Sequence, residues 1–130
     1  MRIYVSGPVS DTLTVQQVQN AVLSAGHELA LDWSADVSFA EAYASQRERS
    51  SRMALEELDA VMAADAVLVV ASQHDGRGMF VELGAALARA SRGDLDHVVL
   101  IGDIHHESVF YLHPLVQHVP AVGDWLAQIE

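Results

Sequence analysis

Between Met79 and Ala88 the chain carries one charged side chain, Glu82, near the start of a segment otherwise built to be buried. A carboxylate is costly to bury without partners. The plain alternative is service to a helix N-terminus, where the macrodipole favours an anion by about 0.3–1 kcal/mol. It is not a capping box, because Met79 rather than Ser or Thr stands three residues earlier. A second acid emerges from the preceding amphipathic segment. On a helical wheel whose apolar stripe is centred on Ala54, Leu58 and Val61, Glu57 lies about 80° from the centre, Asp59 about 120° away and Glu56 opposite. Two carboxylates at one pocket suit transfer chemistry at a glycosidic carbon, one as nucleophile and the other orienting or handling a proton. Tyr4, in an apolar N-terminal segment, is placed to hydrogen-bond such a nucleophile, its alternative being a packed core tyrosine.

Two other constellations are weaker. Gly76-Arg77-Gly78 follows an apolar run and opens a helical pattern, but Val81 stands where a dinucleotide fingerprint needs its third glycine. Five of the seven histidines fall after residue 96 (His97, His105, His106, His113 and His118) without an HExxH or an i, i+4 pair, so no metal site is expected.

The elements that must hold these residues follow from periodicity. Residues 2–6 read as a strand stopped by Gly7-Pro8. Val15, Val18, Val22 and Ala25 recur at helical spacing, with caps among Ser10, Asp11, Thr12 and Thr14 and a closing Gly26. A second strand, about His27–Leu31, leads into Asp32-Trp33-Ser34; residues 35–51 are polar and weakly patterned, a loop with a helical turn around Phe39–Ala44. A helix from Ser51 buries Ala54, Leu58, Val61 and Met62; the run 66–71 is a strand buried on both faces; Met79–Ser91 is a helix and 97–102 another buried strand. A fifth strand near Val116–Val119 and a helix around Asp124–Ile129 close the chain. Strands alternating with helices mean one α/β domain over residues 1–130, a parallel sheet of about five strands covered on both faces. Ligands in such sheets bind beyond the carboxyl ends of the strands, which places the loops after Ser6, Leu31 and Ser72 on one rim.

Composition bounds the function. The 130 residues carry a formal charge of −11; all seven basic residues are arginines and there is no cysteine. Schiff-base and P-loop lysine mechanisms, thiol nucleophiles and Fe–S clusters are therefore excluded. The acidic balance lacks the basic stripe a nucleic-acid polymer needs. Neither a signal-peptide core nor a membrane span is legible, so a cytoplasmic protein is expected.

Three ordered segments, RIYVSGP at 2–8, ELDAVMAADAVLVV at 57–70 and GRGMFVELGAALA at 76–88, with LDW at 31–33 and FYLHPLV at 110–116, resemble the nucleoside 2-deoxyribosyltransferase superfamily, which includes deoxynucleoside 5'-monophosphate N-glycosidases. The resemblance implies a flavodoxin-like (Rossmann-like) sheet. It implies that Glu82 attacks the anomeric carbon to form a covalent sugar ester, with Tyr4 beside it, no cofactor, and Glu57 at a position where the family usually has aspartate. It also implies a sugar and base pocket at Gly7-Pro8. A 5'-phosphate would be held around Ser6 and Ser10, with Arg77 of the Gly76–Met79 loop as charge partner, and Trp33, next to Asp32, would stack on the base. The implied partner is a nucleoside or nucleotide, and the implied assembly a homo-oligomer whose pocket is shared between subunits. The rival reading is a non-catalytic nucleotide-binding or sensing module, motivated by the glutamate at position 57 and the weakly patterned 35–51 segment.

Overall fold

A computed structural model describes residues 1–38 and 42–130. Five parallel strands, β1 (Arg2–Ser6), β2 (Glu28–Leu29), β3 (Ala66–Val70), β4 (Val98–Ile101) and β5 (Val116–Val119), lie in the order β2-β1-β3-β4-β5. This is the flavodoxin-like order, with its switch point between β1 and β3. Ile3 is opposite Ala66, Val67 opposite Val98 and Val98 opposite Val116. Every residue of β3 and β4 is buried, as their unbroken apolar runs require.

Among the described residues, four α-helices cover the sheet. α1 (Thr12–Ser24) packs with α4 (Val122–Ile129), and α2 (Arg47–Ala63) packs with α3 (Gly78–Ser91). Asp11 caps α1 by accepting from the Thr14 amide, and Gly26, at φ 90°, turns the chain into β2.

Three sequence expectations are corrected here. The second strand is two residues long rather than five. Glu28 and Ala30 donate their amides to the carbonyls of Met1 and Ile3. The next acceptor along β1, the Val5 carbonyl, is taken at 2.7 Å by the indole N–H of Trp33, so a side chain ends the ladder where backbone would have extended it. α2 begins at Arg47, not Ser51, preceded by a 3-10 turn at Tyr43–Ser45; of the turn expected around Phe39–Ala44, residues 39–41 lie outside the described residues. The buried side of α2 is also rotated. Ala60, Val61 and Ala64 are buried and Met53 and Glu57 half-buried, whereas Ala54, Leu58 and Met62, expected inside, are exposed.

Arg89, counted in the sequence only as one of seven cations, is 8 % exposed and locks α2 to α3. Its Nη1 donates to the carbonyls of Val61 (2.7 Å) and Ala64 (2.8 Å), and its Nη2 to that of Asp94 (2.9 Å). The carbonyls at a helix end have no intrahelical donors, so the guanidinium satisfies what the end of α2 leaves open. Arg89→Ala is expected to destabilise the fold by about 2–3 kcal/mol, seen as a lower urea midpoint with an unchanged slope.

Candidate active site

Glu82 sits on the second turn of α3, 7 % exposed, with both carboxylate oxygens held by β1. The Tyr4 hydroxyl donates to Oε2, and the Ser6 hydroxyl donates to Oε1 at 2.7 Å. Tyr4 and Ser6 are two apart on one strand and so share the face that α3 covers. Both are fully buried.

In front of Glu82 opens a cavity of about 990 Å³, within the range for small-molecule sites. One wall comes from the carboxyl ends of β1 and β3: Gly7, Val9 and Ser10, then Asp75 through Met79 leading to Glu82. The loops meet closely here, since a Cβ on Gly76 would lie 3.1 Å from the Cα of Pro8 and 2.9 Å from the sulfur of Met79. A side chain there would crowd the Pro8 backbone, and glycine avoids this. The opposite wall is α2 and the segment before it: Val37, Ser38, Tyr43, Ser50, Met53 and Glu57, with Trp33 at one end. The cavity thus lies at the switch point between β1 and β3, where open parallel sheets bind ligands.

Burial pushes the pKa of Glu82 up, and the hydrogen bonds from Tyr4 and Ser6 pull it partly back. Glu57 is pushed up to about 7, first by burial and then by the charge of Glu82. Tyr4 is raised by burial, by the Glu82 charge and by its bond to Glu82, so it remains a donor. Among the described residues lining this cavity, Arg77 is the one cation, against three acids, Glu57, Asp75 and Glu82.

Of the residues singled out in the sequence, Glu82, Glu57, Gly7, Trp33, Gly76, Arg77, Gly78 and Met79 line this cavity. Tyr4 and Ser6 stand behind the Glu82 carboxylate, and Pro8 backs Gly76. Asp32 faces a separate groove of about 340 Å³ and accepts from the Ser34 hydroxyl at 2.8 Å. Trp33 is 5 % exposed and anchored to the Val5 carbonyl. Sequence reading missed Tyr43, Ser50, Met53 and Asp75. Ser50, Met53, Ala54 and Glu57 fall at i, i+3, i+4 and i+7, one helix face that becomes visible once α2 is started at Arg47. Among the described residues no group of His, Asp or Glu is arranged to hold a metal ion, and no helix is long and apolar enough to cross a membrane.

Fold and site together define an α/β domain of flavodoxin-like topology with a paired-carboxylate pocket at its switch point. Its structure is similar to that of the Clostridium botulinum CMP N-glycosidase BcmB, with a TM-score of 0.58 and 11% sequence identity over 99% of this chain and 98% of that one. Compared with family models and with curated proteins, the sequence matches none.

Because Glu57 binds its proton more tightly in the folded chain than unfolded, the folded state holds more protons and this group lowers stability as pH rises from about 5 to about 7. Thermal melts across that window are expected to show a smaller fall in Tm for Glu57→Gln than for the wild type. Equal falls would mean that Glu57 titrates normally.

Proposed function

We propose that the protein cleaves or transfers the N-glycosidic bond of nucleosides or nucleoside 5'-monophosphates, with Glu82 as nucleophile. The observation that carries this reading is the pairing of two carboxylates on one cavity, one clamped by two hydroxyls and the other held near neutrality. Such a division of environments assigns the fixed carboxylate to attack and the other to proton transfer. The likeness of fold to a CMP N-glycosidase supports it from a second side.

In the first half-reaction a Glu82 oxygen bonds to the anomeric carbon while the carbon–nitrogen bond breaks. Its electron pair leaves on the base nitrogen, which takes the proton of Glu57. In the second half a water oxygen gives a proton to Glu57 and bonds to the anomeric carbon. The ester bond to Glu82 breaks and its electron pair returns to the carboxylate; when an acceptor base replaces the water, the product is a new nucleoside. Tyr4 steadies the nucleophile from behind. Arg77 stands just before α3 and lines the same cavity as Glu82. Arg77 and the N–H groups opening α3 are therefore the phosphate end of this reading. The Trp33 edge of the cavity is left for the base, and no cofactor enters any step. The reading places the enzyme in the cytoplasm, where free nucleotides are found.

Chromatography of ribo- and deoxyribonucleosides and their monophosphates, including CMP, with and without acceptor base, tests the assignment. Wild type is expected to release base, and Glu82→Ala to be slower by about 10³-fold or more. Glu57→Gln is expected to lose about 100-fold in kcat. Full activity in Glu82→Ala would sink the mechanism. Saturable binding of intact nucleotide with no turnover would establish a sensing module instead.

A homo-oligomer belongs to the same reading, since Leu55 and Met62 on α2, Val81 on α3, and Val109 and Leu112 in the turn at Val109–Leu112 are left exposed. That turn adjoins α3, where Tyr111 stacks on Phe80 at 5.4 Å, so a neighbour seated there reaches toward the pocket. Sedimentation is expected to show a particle larger than the 14.1 kDa chain, and Leu112→Asp to shift it toward monomer.

A further inference from the structure

Ser6 has no substrate to touch, being fully buried behind Glu82 and absent from the cavity lining. Its hydroxyl has one proton to give, and gives it to Glu82 Oε1 at 2.7 Å. Tyr4 alone would hold the carboxylate in place through Oε2. The second hydroxyl leaves neither oxygen without a donor.

We propose, resting on Glu82 as the nucleophile, that Ser6 is a positioning residue whose hydrogen bond sets the lifetime of the glycosyl ester by making the Glu82 carboxylate a good leaving group. Whichever oxygen carries the sugar, one β1 hydroxyl stays on the ester carbonyl and the other stands beside the bridging oxygen. That oxygen takes back the electron pair when water or an acceptor base attacks the anomeric carbon. Donors stabilise a carboxylate more than a neutral ester, because hydrogen bonds to an ionised acceptor are about twice as strong. The same bonds therefore restrain the attack of Glu82 and hasten its departure, and both effects keep the ester scarce. The geometry is fixed in advance. β1 is bonded to strands on both sides, and Ser6 pairs in register with Val69.

The test compares wild type, Ser6→Ala, Ser6→Thr and Ser6→Cys acting on cytidine 5'-monophosphate and 2'-deoxycytidine 5'-monophosphate. Rapid quenching and intact-mass measurement read the fraction of chain that carries the sugar at steady state, and peptide mapping locates it. Ser6→Ala is expected to raise that fraction about tenfold and to show a burst of base release followed by slower turnover. Ser6→Thr, which keeps the hydroxyl, is expected to return the fraction to the wild-type level. Ser6→Cys, a near-isosteric but weaker donor, is expected to fall between, and it carries the test should the alanine variant not fold. A mere packing role changes overall rate without enlarging the adduct. An adduct on Glu82 at equal fraction in wild type and the alanine or cysteine variant overturns the role of Ser6 and leaves the nucleophile standing. Base release that survives Glu82→Ala overturns the nucleophile itself.

Discussion

A carboxylate at 7 % exposure is the constraint around which this molecule is arranged. Glu82 belongs to a helix whose other buried residues, Arg89 apart, are apolar, and its charge is tolerable there only because two hydroxyls reach it from the neighbouring strand. The donors must come from a rigid element, and β1, hydrogen-bonded on both edges, is one. The loops that meet in front of it must be narrow enough to leave a cavity, which Gly76 allows by approaching Pro8 without a side chain. The second acid, Glu57, lines the same cavity from α2, where burial and the charge of Glu82 favour its protonated form.

Keeping Glu57 opposite Glu82 is a matter of helix register, and the contact between α2 and α3 is secured at its far end. Glu82 and Arg89 are seven residues apart, two turns, and so share one face of α3. Glu57 and Val61 are four apart on α2. One seam therefore carries the two carboxylates at the mouth of the sheet and the Arg89 bonds to Val61 and Ala64 about two turns below. A sliding of α2 that moved Glu57 along the cavity would also break those bonds.

Much of this was legible in the sequence, for reasons that differ from element to element. The apolar runs at 66–70 and 98–101 have no other solution than strands covered on both faces, and they appear within a residue of their expected ends. Glu82 was visible as the one charge between Met79 and Ala88. Glu57 was picked from a wheel whose stripe was misplaced: Leu58 and Met62 look like core residues but are exposed, so Glu57 lies closer to the middle of the buried face than the pattern suggested. Hydrophobicity reports what a residue tolerates, and the face actually buried was decided by what α3 and the cavity presented to it. The early end of β2 was hidden for a related reason, since nothing in the pattern at 27–33 tells that an indole will occupy a backbone acceptor. Arg89 was beyond reach, because the partners that join it to α2 are main-chain carbonyls that carry no signature of their own.

Strand alternation ties the Glu82 carboxylate to the pairing of the sheet. Tyr4 and Ser6 reach Glu82 because Ile3 is paired with Ala66 and Ser6 with Val69. Moving β1 by one residue would bring Ile3 and Val5 to that face and leave the carboxylate buried against two aliphatic side chains with no donor. Correct pairing and a hydrogen-bonded carboxylate are thus a single specification. A misthreaded chain would be rejected by its own electrostatics before its hydrophobic packing, apolar in either register, had anything to distinguish.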